Sequence, residues 1–459
     1  MSTTLPFADA LITDPLYPRL KEHLLESTGL TYYADKNEDL ARRIGRRLST
    51  IGARDCASYL EILRDPLRGP SELAALIEEV TIGETYFFRH REQFDALRDL
   101  VLPDLIARNR ESRRMRIWSA GCADGPEPYS LAILLKRELA HKLSGWEVTI
   151  LGTDINQRSL VRAREGKFEA WALRSTSEDL KRDCFRSEGK LWSLAPEYKA
   201  RVSFQYHNLV EHSFPSLLNN LFCFDLIVCR NVMIYFRSEL MQRMIRQFHD
   251  CLAPGAWLLV GPSEPNMTQF SSFHIVNAPG VTLYQKESQS TAATGEAPFT
   301  IAPVEPYSPA ISPGVTVTAR TVSEGVTPTL EEVRRHGDQG AWESAVRCCE
   351  QLLKNDNLNS TSHFYHAMVL EQMGRHEEAE KSLGRAIYLD RQSVLAHYYL
   401  GLFLQSRGNG RQAERSFENA LELLRFRDDA EAFADADGIT AAELKKLATM
   451  HIEILRERV

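Results

Sequence analysis

The sequence has no apolar run long enough to cross a bilayer, and its first twenty residues contain no basic segment followed by an apolar one. These absences predict a cytoplasmic protein with no direct membrane insertion. The eight cysteines show no CxxC spacing, so neither a zinc site nor a disulfide framework is indicated. The net charge of −7 lacks the basic excess typical of nucleic-acid or membrane binding, so no nucleic acid is expected as a partner.

A length of 459 residues exceeds what one hydrophobic core usually serves, so two or three domains are expected. Residues 1–90 are predicted to form a small helical domain, because apolar residues recur at helical spacing. In the segment LARRIGRRL they lie on one side of a helix, which leaves four guanidinium groups facing outward: Arg42, Arg43, Arg46 and Arg47. This arginine face suits docking to an acidic partner, and a merely solvated helix face is the alternative.

The segment VTIGETYFFRHREQF, residues 80–94, joins this domain to the next one. It contains a glycine, several aromatic residues and Arg89 between helical stretches. It could be a loop folded over a pocket or an inter-helix turn with a buried pair of phenylalanines, and its composition alone favours the turn.

Residues 91–286 are predicted to form an α/β domain with a largely parallel, doubly wound sheet. Helical stretches lie between most of the expected strands, which are 116–119, 148–152, 202–207, 225–229, 256–260 and 281–285. Residues 168–201 interrupt this alternation, and they are interpreted as a helix with a small antiparallel insert.

The informative stretch of this domain is MRIWSAGCADGPEPYS, residues 115–130, with its continuation WEVTILGTDIN. It predicts a strand, a tight loop, a helix and a second strand that ends at Asp154, a carboxylate placed to accept hydrogen bonds from ribose hydroxyls. The loop GCADG lacks the G-x-G-x-x-G spacing of a dinucleotide site, and Glu127 would repel a phosphate. These features favour S-adenosylmethionine over NAD, and a structural unit without a ligand is a further alternative.

The fourth strand ends in FDLIVCRNVMIYF. Because the carboxyl ends of the strands line the site in this fold, Asn231 is expected at the strand tip with Val232 beside the cofactor. Tyr235 is expected within hydrogen-bond reach of the reacting centre.

After Lys286 the composition changes, and residues 287–325 are rich in Pro, Ser, Thr, Ala and Gly, as is typical of a flexible linker. Residues 326–459 contain small residues repeated every 34 positions, for example Gly340, Gly374 and Gly408. This period predicts three tetratricopeptide (TPR) repeats, at about 326–359, 360–393 and 394–427, followed by a capping helix. They would bind a protein partner that the sequence does not identify.

Five motifs in order, TIGETYFFR, WSAGCADGPEPYS, GTDIN, HNL and CRNVMIYF, resemble the CheR family of chemotaxis-receptor glutamate methyltransferases from about Leu16 to Lys286. The resemblance implies a Rossmann-like S-adenosylmethionine methyltransferase domain with an N-terminal helical domain and a small β insert, here followed by an all-α TPR domain. The added repeats are similar to those of relatives in Wsp-type biofilm signalling.

The resemblance also implies which residues surround the cofactor: Gly83, Thr85, Arg89, Glu127, Asp154, Asn208, Leu209, Asn231 and Val232. Gly83 stands where relatives often carry Asn, so a side-chain contact is lost. Asp124 and Pro126 also depart from the family pattern, in the loop that contacts the cofactor.

The predicted reaction methylates glutamates on the cytoplasmic domain of a methyl-accepting receptor and leaves S-adenosylhomocysteine as product. Arg89 and Tyr235 are expected to hold the incoming carboxylate, which is already ionised at pH 7. The short insert around RSEGKLWSL favours an enzyme that needs no receptor tether peptide. The alternative function is a TPR scaffold whose methyltransferase domain senses cofactor and is weakly active.

Overall fold

The computed structural model describes residues 10–65, 67–212, 214–216, 219–264, 269–287, 328–338, 341–433, 436 and 439–457. The predicted linker lies outside the described residues except for residue 287. Within the described ranges, no helix is both long enough and apolar enough to cross a membrane.

The amino-terminal part is helical. Its helices are α1 (Tyr17–Thr28), α2 (Asn37–Ile51), α3 (Cys56–Arg64) and α4 (Gly69–Val80). The apolar stripe Leu40, Ile44 and Leu48 of α2 is fully buried against the other helices, as its spacing predicts. A further helix, α5 (Arg91–Ala96), continues through a π-helical turn at Leu97–Val101 into α6 (Leu102–Arg108) and leads to the central sheet.

The central sheet contains seven of the described strands. In chain order they are β1 (Arg114–Ala120), β2 (Glu147–Asp154), β6 (Val202–Tyr206), β7 (Phe224–Cys229), β8 (Leu252–Val260), β9 (His274–Ala278) and β10 (Val281–Gln285). Their order in the sheet is β6-β2-β1-β7-β8-β10-β9. The first five are parallel, and β10 and β9 form an antiparallel hairpin at one edge. The sequence interpretation missed β9, because half-buried His274–Ala278 has no clear apolar alternation.

Helices connect most of the parallel strands and cover the sheet. They are α7 (Pro126–Glu138), α8 (Gln157–Glu165) and α11 (Ser238–Cys251). The predicted insert is a three-stranded antiparallel sheet, β3 (Lys167–Glu169), β4 (Phe185–Glu188) and β5 (Leu191–Leu194), with the short helices α9 (Glu178–Cys184) and α10 (Pro196–Lys199). The predicted Rossmann-like fold class with its helical domain and β insert is confirmed.

The carboxyl-terminal part consists of helix pairs. These are α12 (Leu330–Asp338) with α13 (Trp342–Asn355), α14 (Ser360–Gln372) with α15 (His376–Leu389), and α16 (Val394–Ser406) with α17 (Gly410–Leu424). The second helices begin at Trp342, His376 and Gly410, in the 34-residue register of the TPR prediction. A two-stranded hairpin, β11 (Ala432–Phe433) and β12 (Ile439–Thr440), precedes α18 (Ala441–Glu457), which packs on α17. Gly340, the first glycine of the register, lies outside the described residues.

The repeats dock onto the α/β domain at the amino ends of its parallel strands. Arg114, at the start of β1, forms an ion pair of 2.9 Å with Glu443 in α18. Lys286, just after β10, is buried, and its Nζ lies 2.9 Å from the Met450 sulfur. Phe222, two residues before β7, is part of the core of the repeats. The carboxyl ends of the parallel strands lie on the opposite edge of the sheet from these three contacts. Trp342 of α13 makes a further contact in the segment after β6, where its ring lies edge-on to His212 with 5.5 Å between the centroids.

Candidate functional site

A cleft opens at the carboxyl ends of the parallel strands, where α1 of the helical domain meets the sheet. The predicted site residues Gly83, Thr85, Arg89, Glu127, Asp154, Asn208, Leu209, Asn231, Val232 and Tyr235 all line it. Residues distant in the chain therefore meet at one place, since the carboxyl ends of parallel strands share one edge of a sheet.

Asp154 ends β2 and lies at the wall of the cleft. Its Oδ2 accepts a hydrogen bond of 2.8 Å from the backbone N–H of Ala123, and its Oδ1 accepts one of 2.8 Å from that of Asn156. Burial raises the pKa of Asp154 to about 6, and these two backbone donors oppose the rise. Each carboxylate oxygen keeps a second lone pair, so the side chain can still accept hydrogen bonds from a ligand.

Glu127, in the first turn of α7, forms a buried ion pair below the cleft. Its Oε1 accepts from the Ser119 hydroxyl at 2.8 Å, and its Oε2 lies 3.1 Å from Nη1 of Arg230. The Arg230 side chain is only 2% exposed. It also donates through Nε to Oε1 of Gln93 at 2.6 Å and through Nη2 to the carbonyl of Arg89. Burial raises the pKa of Glu127, and the Arg230 guanidinium counteracts part of that rise.

The chain turns sharply after β7 to form another wall. Asn231 has a left-handed backbone (φ 59°), and Val232 packs so closely on Gly121 that a Cβ there would lie 2.4 Å from a Val232 methyl carbon. Only glycine fits at position 121, which also has a φ of 80°. The Oδ1 of Asn231 is buried and has no hydrogen-bond partner among the described residues. An orphaned acceptor in a cleft is expected where a ligand supplies the donor.

Four of the seven described non-glycine residues with left-handed backbone lie in or beside the cleft. Besides Asn231, they are Ala123 (φ 46°) in the loop after β1, and Phe88 (φ 54°) and His90 (φ 62°), which flank Arg89. Such conformations cost of order 1 kcal/mol each and persist where the surrounding structure imposes them, often at functional sites.

Residues 81–86 form one side of the cleft, so the interpretation of residues 80–94 as only an inter-helix turn is wrong. The buried pair of phenylalanines that the turn interpretation expected is found only in part, because Phe87 is buried in the core beside the insert and Phe88 is partly buried. Arg89 donates through Nη1 to the carbonyl of Glu84 at 2.8 Å, which holds the segment in shape. A Cβ built at Gly83 would meet no atom closer than 3.9 Å, so the cleft has space at this position for a larger side chain than glycine.

Asn208 and Leu209 follow β6 and join the cleft to the helical domain. The Asn208 amide donates at 3.0 Å both to the carbonyl of Ser27 in α1 and to Oε2 of Glu211. Its Oδ1 accepts from the N–H of Val210 at 2.9 Å. The Asn208 side chain therefore fixes the position of α1.

The arginine face does not point outward as a whole, so that prediction is wrong for two of its four members. Arg47 forms a two-pronged contact with the buried carboxylate of Glu72 at 2.7 and 3.0 Å, and Arg43 donates to the carbonyl of Glu79 at 2.6 Å. Arg42 and Arg46 remain about half exposed. Two acidic partners, Glu72 and Glu79, lie on α4, which the helical pattern of α2 alone does not reveal. A third, Asp39, lies on α2 itself and pairs with Arg42 and Arg43.

The departures from the family pattern point away from the cleft. Asp124 forms an ion pair of 2.8 Å with Arg162 on α8, and Pro126 is buried at the start of α7.

Sequence reasoning passed over Arg230, Gln93 and Glu264, although Arg230 stands in the CRNVMIYF motif. A charged residue directly after a buried strand was the available signal, because it requires a buried partner.

The residues of the cleft fit S-adenosylmethionine. Asp154 at a strand tip suits a ribose, and the orphaned Oδ1 of Asn231 suits a ligand donor such as an amino group. Asp154 and Glu127 place carboxylate oxygens near the loop after β1, which suit a cation that donates hydrogen bonds better than a phosphate, although Arg230 balances the charge of Glu127.

Comparison with known proteins agrees with this chemistry. The family model "CheR methyltransferase, SAM binding domain" matches residues 83–281, and the model "CheR methyltransferase, all-alpha domain" matches residues 16–81. Both matches end before the repeats.

Curated relatives cover the same region. A chemotaxis protein methyltransferase of Borreliella burgdorferi is 32% identical over 256 residues, which are 55% of this chain and 89% of that protein. Chemotaxis protein methyltransferase 2 of Vibrio cholerae is 31% identical over 61% of this chain and 95% of its own length. Chemotaxis protein methyltransferase 1 of Pseudomonas aeruginosa is 32% identical, with coverage of 52% and 86%.

Among solved structures, the Arabidopsis OM64 TPR domain aligns with 28% of this chain and 92% of its own, at 19% identity and a TM-score of 0.23. The 34-residue helix register, and not this alignment, identifies the repeats.

Proposed function

The chain belongs to the CheR methyltransferase family, and we propose that it transfers a methyl group to glutamate side chains of a methyl-accepting, chemotaxis-type receptor. It is an S-adenosylmethionine-dependent methyltransferase. The observation that carries the proposal is the convergence of Asp154, Glu127, Arg89 and Tyr235 on one cleft at the carboxyl edge of the sheet.

We assign the cofactor contacts as follows. Asp154 binds the ribose hydroxyls, and the Oδ1 of Asn231 and the acidic group of Glu127 favour the cationic amino-acid end. Thr85, Leu209 and Val232 contribute the remaining walls, and Gly83 offers only its backbone. Asn208 acts through its fixed loop, because its side chain already bonds to the carbonyl of Ser27.

Tyr235 and Arg89 are proposed to receive the substrate carboxylate. Burial raises the pKa of the Tyr235 phenol, and nearby Arg89 opposes the rise, so the phenol is protonated at neutral pH and can donate a hydrogen bond. Its backbone is held by the Thr31 hydroxyl, which donates to the Tyr235 carbonyl at 2.8 Å. When bound, S-adenosylmethionine supplies a sulfonium methyl group as electrophile.

A glutamate is ionised at pH 7 and needs no general base. The chain's contribution is therefore alignment of the carboxylate and removal of its water, which raise the reactivity of a weak nucleophile. Partly exposed Ile82 and Ile234 also line or flank the cleft, and they would exclude water once a receptor helix covers it.

We propose that Arg42 and Arg46 contribute to docking of the acidic receptor, since their side chains remain about half exposed. Each would share its charge between the receptor and its present partner, Asp39 for Arg42 and Glu79 for Arg46. The short β4–β5 hairpin supports docking without a tether peptide.

The repeats are proposed to place the enzyme in a chemotaxis or biofilm-type signalling array. No described residue of the repeats lines the cleft, which disfavours a scaffold that blocks its own site.

The test is transfer of radiolabelled methyl from S-adenosylmethionine to a purified receptor cytoplasmic domain. Label that is released as methanol by mild base would support a glutamate methyl ester, because amine and ring methylation resist base. Base-stable label would refute the substrate class. Cofactor binding without any transfer to receptors would favour the cofactor-sensing scaffold.

A further inference from the structure

Glu264, four residues after β8, places a buried carboxylate behind the cleft. Both of its oxygens accept hydrogen bonds from backbone N–H groups, at 2.5 to 3.3 Å. The donors are Asn231, Val232, Met233, Ile234 and Gly261. One side chain thereby satisfies four consecutive N–H groups of the segment 231–234, here called the 231–234 turn.

This arrangement requires a carboxylate. A carboxylate offers about four acceptor sites and no donor, whereas an amide has one acceptor oxygen and an N–H₂ group that would face the backbone donors. Burial raises the pKa of Glu264, and the backbone N–H groups counteract this rise.

The neighbouring glycine is adapted to the same contact. A Cβ at Gly261 would lie 2.7 Å from Oε2 of Glu264 and 2.8 Å from the backbone nitrogen of Asn231. Both distances are shorter than a van der Waals contact, so an alanine would displace the carboxylate or the turn. Gly261 and Glu264 are therefore one structural unit.

The 231–234 turn supplies a large part of the cleft. Asn231 has its strained backbone and its orphaned Oδ1 here, and Val232 presses on Gly121 in the loop after β1. The turn leads directly into Tyr235. A shift of the turn would move the cofactor wall and the phenol together.

We propose that Glu264 is a positioning residue of the methyl-transfer site, which holds the 231–234 turn so that Asn231 and Val232 meet the cofactor and Tyr235 meets the substrate carboxylate. This inference rests on the proposed function. Glu264 touches neither ligand and acts through the backbone of the turn.

The experiment compares the full-length wild type with Glu264→Gln and Gly261→Ala. Binding of S-adenosylhomocysteine is measured by calorimetry, turnover by methyl transfer at saturating cofactor, and folding by circular dichroism and thermal unfolding. Glu239→Gln is the matched control, because Glu239 is an exposed carboxylate on the helix that follows the turn. Its binding and turnover should equal those of the wild type.

Both test variants are expected to bind S-adenosylhomocysteine at least about tenfold more weakly and to turn over at least about tenfold more slowly. The reason is that each variant weakens the charge-assisted hydrogen bonds between the Glu264 carboxylate and the turn. A merely structural role would lower only the melting temperature, and folded variants with wild-type affinity and turnover would overturn the inference. If either variant does not fold, the other decides. A wild type that binds S-adenosylhomocysteine but methylates no receptor would count against the proposed function. In that case the affinities of the variants for S-adenosylhomocysteine would still test the positioning role of Glu264. A wild type that does not bind it would overturn both.

Discussion

The buried pair of Arg230 and Glu127 permits a prediction that separates folding from cofactor binding. Arg230→Met removes a guanidinium that bonds to Glu127, to Gln93 and to the carbonyl of Arg89. The Glu127 carboxylate would then be buried without its cation. Removing one partner of a buried pair typically costs about 3–5 kcal/mol. For a domain of this size that corresponds to a fall in melting temperature of roughly 6–20 °C.

The double variant Arg230→Met with Glu127→Leu removes both charges. Replacing a buried pair by apolar residues is often near neutral, so the double variant should recover about 2 kcal/mol or more relative to Arg230→Met alone. Gln93 and the Arg89 carbonyl still lack their donor, which limits the recovery. Cofactor affinity should not recover, since the acidic group near the cationic end is absent. A lost charge-assisted hydrogen bond of about 1.5–3 kcal/mol weakens binding about 10- to 150-fold.

The assay combines urea unfolding of the three proteins with calorimetric titration of S-adenosylhomocysteine. A loss below about 1 kcal/mol in Arg230→Met would refute the reasoning about the buried pair. A double variant that regains both stability and wild-type affinity would show that Glu127 serves only to neutralise Arg230.

Four further predictions concern single positions. Asp154→Ala should abolish detectable binding of S-adenosylhomocysteine. In the wild type, affinity should fall as pH drops below about 6 and the Asp154 carboxylate gains a proton. Stability of the ligand-free protein should change in the opposite sense and decrease as pH rises from 3.8 through about 6, because the folded state retains a proton that the unfolded chain releases. Tyr235→Phe should lower turnover about 10- to 100-fold with nearly unchanged cofactor affinity, because it removes a hydrogen bond that aligns the substrate carboxylate. Asp124→Asn should change affinity less than about threefold, because its partly exposed ion pair with Arg162 is worth at most about 1 kcal/mol. Met450→Lys should place a second cation beside buried Lys286 and accelerate hydrogen exchange around residues 220–223, while cofactor affinity stays unchanged.

Each prediction has a matched comparison. Full binding by Asp154→Ala would remove it from the ribose site, and unchanged turnover in Tyr235→Phe would remove the phenol from the mechanism. Asp124→Asn serves as the control for Asp154→Ala, and a large effect there would show that the departure from the family loop reaches the cofactor. Thr449→Lys adds an exposed cation next to Met450, and equal exchange in both lysine variants would contradict the interface.

The sequence predicted the elements whose signal is local. Apolar runs predicted six of the seven strands of the main sheet, and the position of Asp154 at the end of a strand predicted its place in the cleft. The 34-residue period located the helix pairs of the repeats.

What the sequence did not reveal depends on partners far apart in the chain. Arg230 bonds to Gln93 and Glu127, and Glu264 to the turn after β7, and no spacing rule links these positions. The arginine face was misinterpreted for the same reason, since Glu72 reaches Arg47 only after α2 and α4 pack together. The docking of the repeats was likewise not predictable, because helical period does not specify which surface a repeat covers.

The activity proposed for this cleft is methylation of glutamate side chains of a receptor. Its most direct test is mass mapping of a receptor cytoplasmic domain after incubation with the full-length protein and S-adenosylmethionine, with Asp154→Ala in parallel. The expected result is the added mass of one methyl group on specific glutamates, which is lost after mild base treatment and absent with Asp154→Ala. Methyl groups on other residue types, or equal methylation by Asp154→Ala, would contradict it.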